Sequence, residues 1–189
     1  MTDLNFSELW NRALPWAAYL HEQATADQRG RWIQTYESVT LSPPQTTLLA
    51  GFVRRMVLLC MSGAWCGDCV RQGPHLQRIA EACSVIDLRF VDRDAEPQLK
   101  AAWRICGGDR VPVVGFFAED MAFCGLYGDR TLNYYRRMAA TQLGPSCPTG
   151  IGPADPDANA CTVADWLDEI ERVQLMLRLS PRLRALHGD

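Results

Sequence analysis

Lysine is almost missing from this chain: of 19 basic side chains only Lys100 is a lysine, and the rest are arginine. Leu99 precedes it, so no Gly-Lys-Ser/Thr phosphate loop exists and P-loop nucleotide chemistry is excluded. A dinucleotide fingerprint is missing as well, because Gly150-Ile-Gly152 lies in a proline-rich stretch without a third glycine. Long apolar runs are also absent. The longest, Val57 to Cys66, follows Arg54 and Arg55 and is about half of the roughly 20 residues a membrane span needs. The opening Met1-Thr-Asp-Leu-Asn-Phe6 has neither a basic cluster nor an apolar stretch, so no secretory signal is expected and the cytoplasm is the expected compartment. Excess positive charge is lacking: 22 acidic against 19 basic groups give a net charge of −3, which argues against nucleic acid or a membrane surface as the main partner. The three histidines, His21, His75 and His187, form no ligand spacing, and His75 reads as an exposed helix residue.

What the chain does have is sulfur. Eight cysteines in 189 residues exceed what packing needs in a reducing compartment, yet they are too sparse for a disulfide scaffold. Two of them form Cys66-Gly67-Asp68-Cys69. Cys60, Cys83, Cys106 and Cys124 read as core fillers, since cysteine packs as a small apolar group. Cys147 and Cys161 flank a Gly/Pro-rich stretch, where a second disulfide would close about fourteen residues and contribute roughly 3 kcal/mol.

The apolar pattern divides the chain into three. Residues 1–53 read as a helical extension: Asn5 with Glu8 caps a first helix that Pro15 kinks or splits, Thr25 with Gln28 starts a second, and Ser42-Pro43-Pro44-Gln45 a third. Residues 54–143 alternate strands and helices in the order β-α-β-α-β-β-α. The strands are Arg55 to Met61, the alternating Ile86, Leu88 and Phe90, and a hairpin of Val113–Phe117 with Ala122–Tyr127. The helices follow Cys66, run from Pro97 to Ile105, and open at Thr131 with Leu132, Tyr135 and Met138 aligned. Residues 144–189 read as a loop and a last helix, capped by Thr162 and Asp165, with Trp166, Ile170, Val173 and Leu177 on one stripe. The expected fold class is α/β, a central mixed sheet flanked by helices, with the terminal helices packed on it and the tryptophans at 10, 16, 32, 103 and 166 in helix packing.

A strand, a short loop and then Cys-x-x-Cys opening a helix form a thiol–disulfide site by physical logic. Free amides and the macrodipole at a helix N-terminus favour a thiolate on Cys66, and thiolate is the attacking species. Cys69, one turn on, is placed to resolve a mixed disulfide, and Trp65 to wall the sulfur. A metal or iron–sulfur site joining this pair to distant cysteines is the competing reading. It lacks a second Cys-x-x-Cys.

Trp65-Cys66-Gly67-Asp68-Cys69, Pro74 eight residues after Cys66, and Val111-Pro112 before a strand together resemble the thioredoxin superfamily over about residues 54–142. With Asp92-Arg93-Asp94-Ala-Glu-Pro97-Gln-Leu99 and the segment Tyr36 to Val39, the chain further resembles a bacterial thioredoxin-like family with a helical N-terminal extension. The resemblance implies a thioredoxin-like fold and a cytoplasmic oxidoreductase. It supplies no natural substrate; the dithiol chemistry itself points to disulfide-containing proteins as substrates and a thiol reductase to recharge the pair, with no bound organic cofactor needed. The resemblance also implies that Pro74 bends the active helix, that Pro112 is cis and faces the pair, and that Val111 offers its backbone to an extended substrate. Two departures stand out. Cys60 occupies the place of a buried aspartate that helps deprotonate the resolving cysteine, and Gly67-Asp68 replaces Gly-Pro. A carboxylate at Asp68 is expected to oppose the helix dipole and keep Cys66 less acidic, hence reducing. A non-catalytic binding module that keeps the fold and recognises a partner through its extra helices is the other class of function.

Overall fold

Proline decides where the first helices end. In the computed structural model, which describes residues 4–143 and 157–189, helix α1 (Phe6–Arg12) is capped by the Asn5 side chain accepting from the Glu8 N–H. Pro15 splits the helical run, serving as N-cap of α2 (Trp16–Gln23). Between the two, Leu14 exchanges both backbone hydrogen bonds with Phe90, each 2.8 Å long. Helix α3 (Ala26–Ser38) opens on the Thr25/Gln28 capping box, and α4 (Pro43–Ala50) on the Ser42/Gln45 box with proline in its first turn.

The chain then alternates through β1 (Met56–Ser62), α5 (Gly67–Glu81), β2 (Ile86–Asp92), α6 (Pro97–Ala102), β3 (Val113–Ala118), β4 (Phe123–Gly128) and α7 (Leu132–Gln142). Helices α8 (Ala158–Leu179) and α9 (Pro181–His187) follow. The sheet order is β2-β1-β3-β4, with β1 and β2 parallel and the other two pairs antiparallel. This is the mixed, helix-covered α/β sheet expected from the pattern. Strand β1 is buried along its whole length, the mark of a central strand covered on both faces. On one face Trp103 lies over Gly115, where a Cβ would come within 2.5 Å of the indole, and Phe6 packs on Phe117, two residues along, at 4.8 Å. The extensions share the core: Tyr19, Trp32 and Leu49 from the first helices, and Trp166 and Ile170 from α8, are all buried in it. Helix α8 also clamps the start of β1, its buried Gln174 amide both donating to and accepting from the backbone of Arg54. Among the described residues no helix is long and apolar enough to cross a membrane.

Several local expectations need correction. Helix α6 stops at Ala102, because Ile105 and Gly108 pair across a tight turn with Cys106 at φ 48° and Gly107 at φ 72°. That turn leaves Cys106 exposed rather than in the core. Helix α8 starts at Ala158 with Asp157 as its cap, not at Thr162. Asp165 instead accepts from the backbone N–H and the side-chain amide of Asn133, both at 2.8 Å, and so caps α7 from outside. The aligned Leu132 and Tyr135 are 52% and 39% exposed, since α7 buries no residue completely.

His75 is the largest departure: it is 2% exposed, neither ring nitrogen completes a hydrogen bond, and desolvation lowers its pKa to about 4. Helix α5 is packed by α3, α8 and the sheet together, so a flank that reads as solvent-facing is covered. A folded-state pKa below the unfolded value near 6.5 means the unfolded chain binds the extra proton first. Stability is therefore whole above about pH 6.5 and falls toward pH 4, by up to about 3 kcal/mol from this group. Substituting His75→Leu is expected to remove that slope, so the stability gap in favour of the variant widens between pH 7 and pH 4. Urea unfolding at the two pH values checks it; parallel losses in both proteins would refute it.

Candidate active site

The buried strand β1 delivers the chain to Ser62, and Gly63-Ala64-Trp65 carries it to Cys66, the N-cap of α5. Two packing contacts shape this loop. The indole of Trp65 folds over Gly63, where a Cβ would meet the ring at 2.7 Å, and Arg93 stacks on that ring at 4.7 Å. From the opposite side Trp32 of α3 donates its indole N–H to the Ala64 carbonyl at 3.0 Å. Its ring lies so close to α5 that a Cβ on Gly73 would sit 2.2 Å from it. Pro74 lies inside α5, one residue further on.

The two sulfurs differ sharply in environment. Cys69 is fully buried, and its Sγ accepts from the Gly63 N–H at 3.4 Å. Cys66 is partly exposed at the helix start, with its Sγ 3.7 Å from the Val111 carbonyl oxygen. The Val111–Pro112 peptide is cis, and both residues are buried. Hydrogen bonding from the Cys69 thiol, and then from the backbone N–H groups of Cys69 and Asp68, lowers the Cys66 pKa to about 6 against the cost of burial. Burial pushes Cys69 well above the ordinary thiol range, and the neighbouring Cys66 raises it further. At pH 7 Cys66 would thus be largely thiolate, where an ordinary cysteine holds a few per cent.

The effect of Asp68 has the expected direction and is weakened by its partners. Its carboxylate meets Arg71 at 2.7 Å and Arg130 at 2.8 Å, and its charge is the weakest of the influences on Cys66. A carboxylate held between two guanidiniums presents little field to a third group. Asp68 therefore opposes the lowering of Cys66 in the expected direction, but only weakly. Beside it, Gly67 leaves open space, since a Cβ there would meet nothing within 4 Å.

A groove of about 410 Å³ opens over Cys66; of the expected groove residues Trp65 and Val111 line it and Pro112 does not, while Asp68 lines it as well. Arg93, Arg110, Asp129 and Arg130 line it too. Sequence reasoning missed these four, apart from treating Arg93 as part of a solvated turn. Asp129 is 3% exposed, accepts from Arg110 at 2.9 Å and from the Tyr135 hydroxyl, and offers its backbone carbonyl to Gln72 at 2.8 Å. No spacing signal could have found it, because its partners come from three separate elements. Among the described residues no three His, Cys, Asp or Glu side chains gather around a possible metal position. Cys161 is buried in the first turn of α8, and Cys147 lies outside the described residues.

Comparison with known proteins adds a family. The family described as thioredoxin matches residues 13–141, a stretch that reaches back through α2, α3 and α4. A protein of unknown function from Pseudomonas aeruginosa, solved at 1.5 Å, is similar over 90% of this chain and 99% of its own, with 21% identity and a TM-score of 0.67. A scaffold carrying an HIV epitope is similar over 89% and 99%, with 21% identity and a TM-score of 0.66. At that identity the likeness concerns the fold. No curated protein matches the chain.

Proposed function

The chain belongs to the thioredoxin family, and on that premise we propose that it is a thiol–disulfide oxidoreductase that reduces disulfides in other proteins. The observation that carries this reading is the asymmetry of the pair: an accessible Cys66 with its pKa lowered to about 6, and a buried Cys69 held as a thiol behind it. The Cys66 thiolate attacks one sulfur of a substrate disulfide, and the other sulfur leaves. Cys69 then attacks the Cys66 sulfur, releasing the second substrate thiol and leaving Cys66 joined to Cys69. A thiol ionised at neutral pH, yet with a pKa not far below it, is near the optimum for such attack. The buried Val111 and cis Pro112 give an extended substrate strand a backbone to lie against, and a thiol reductase would return the pair to its dithiol.

Turnover of insulin disulfides driven by dithiothreitol tests the reading. The wild-type protein is expected to accelerate precipitation of the insulin B chain well beyond dithiothreitol alone. Background-level turnover, with partner binding unaffected by Cys66→Ser, would favour a binding module instead.

A further inference from the structure

The buried Cys69 presents a problem that the pair alone does not solve. To resolve a mixed disulfide it must become a thiolate inside the core, and burial opposes that charge. The groups acting on it most strongly are Cys66, Ser62 and Cys60, with the Gly63 N–H also in contact. Cys60 is itself buried and held as a thiol, its pKa pushed up by desolvation, so it adds no charge. Ser62 remains. Its hydroxyl is fully buried, one residue before the Gly63 N–H that contacts Cys69, and the hydroxyl of Tyr19, also fully buried and brought in from α2, lies near it. In the dithiol form neither hydroxyl completes a hydrogen bond of full geometry. A buried hydroxyl with an unspent donor thus stands near the one sulfur that has to carry a negative charge, with a second such hydroxyl behind it. A donor left idle in the ground state and engaged as charge develops stabilises the transition state selectively.

We propose that Ser62 donates its hydroxyl hydrogen to the sulfur of Cys69 as that sulfur becomes anionic, and that Tyr19 donates in turn to Ser62 and holds it in that orientation. This rests on the oxidoreductase reading above. In the step itself the Cys69 sulfur forms a bond to Cys66, the bond between Cys66 and the substrate sulfur breaks with its electron pair going to the substrate, and the proton lost by Cys69 ends on the departing substrate thiol. Neither hydroxyl is consumed. Ser62 touches a reacting atom and is a catalytic residue; Tyr19 acts through it and is a positioning residue.

The test separates the two thiol attacks. In a chain carrying Cys106→Ser, Cys124→Ser and Cys147→Ser, one equivalent of 5,5′-dithiobis(2-nitrobenzoate) gives two releases of thionitrobenzoate. The first reports attack by Cys66 and the second attack by Cys69. Added to that background, Ser62→Ala is expected to slow the second release by about tenfold and leave the first within about twofold. Tyr19→Phe should slow the second release by a smaller factor, and the double variant should match Ser62→Ala. A second release unchanged in Ser62→Ala would overturn the proposal, as would equal slowing of both releases. Failure of the oxidoreductase reading shows elsewhere, as absent insulin turnover in the wild-type protein.

Discussion

Exchanging Cys66 for serine is expected to bring disulfide reduction down to the uncatalysed background, a loss of at least about a thousandfold. The size follows from what is removed. A serine hydroxyl at this helix start is not ionised near neutrality, whereas the Cys66 thiol, lowered to about 6, supplies an anionic nucleophile without any base. Cys69→Ser should behave differently. The accessible thiolate is kept, the first attack proceeds, and the mixed disulfide accumulates because no second thiol stands behind it. Gel analysis under non-reducing conditions reads this as a covalent adduct that dithiothreitol dissolves, and the adducts identify the substrates. Residual turnover in Cys66→Ser, or wild-type turnover in Cys69→Ser, would sink the assignment of roles. Alkylation of Cys66 should rise with pH to a plateau with its midpoint near 6, and a Cys69→Ala variant should titrate higher, since the thiol that bonds to the Cys66 anion is the largest cause of the lowering.

The second large effect concerns Trp32. Its ring is fully buried, set against Trp16, Tyr19 and Phe90 at centroid distances of 5.5, 5.9 and 6.1 Å, and pressed on the backbone of Gly73. Truncation of so large a buried aromatic costs about 3–5 kcal/mol, a sizeable part of the 5–15 kcal/mol that holds a domain together. Trp32→Ala is therefore expected to shift the urea midpoint strongly downward. Trp32→Phe isolates one component: it keeps most of the apolar contact but strips the Ala64 carbonyl of its donor, at a cost of about 1–3 kcal/mol. Because that carbonyl belongs to the loop that carries Cys66, the phenylalanine variant should also slow Cys66 alkylation. A loss of unfolding free energy below about 1 kcal/mol in Trp32→Ala would refute the packing argument.

The β-α-β order, the Asn5 and Thr25 caps and the break at Pro15 are readable along the chain because each depends on neighbours within a few residues. The cysteine pair is readable for the same reason. What escapes a linear reading depends on contacts between distant segments. His75 looks solvent-facing on α5, yet it is buried, because α3 and α8 close over that flank. Asp165 looks like the cap of its own helix and caps another. Asp68 looks like a free charge beside the thiol, and Arg130, far along the chain, joins its helix neighbour Arg71 in holding it. Tyr19 and Trp32 lie in what reads as an appendage, but one reaches Ser62 and the other the loop before Cys66. Their place in the site could be found only after the helices were docked.

The paired bonds between Leu14 and Phe90 have a consequence of a different kind. A strand at the border of a sheet normally offers idle amides and carbonyls that can recruit a foreign strand, the first step toward aggregation. On the β2 side Phe90 has already spent both of these groups on Leu14, and α2 packs alongside. On the β4 side the ladder slips in register at Phe116 and Phe117, so an incoming strand would find no straight template there. The residue that proline strands between two helices thus serves as a guard against strand addition.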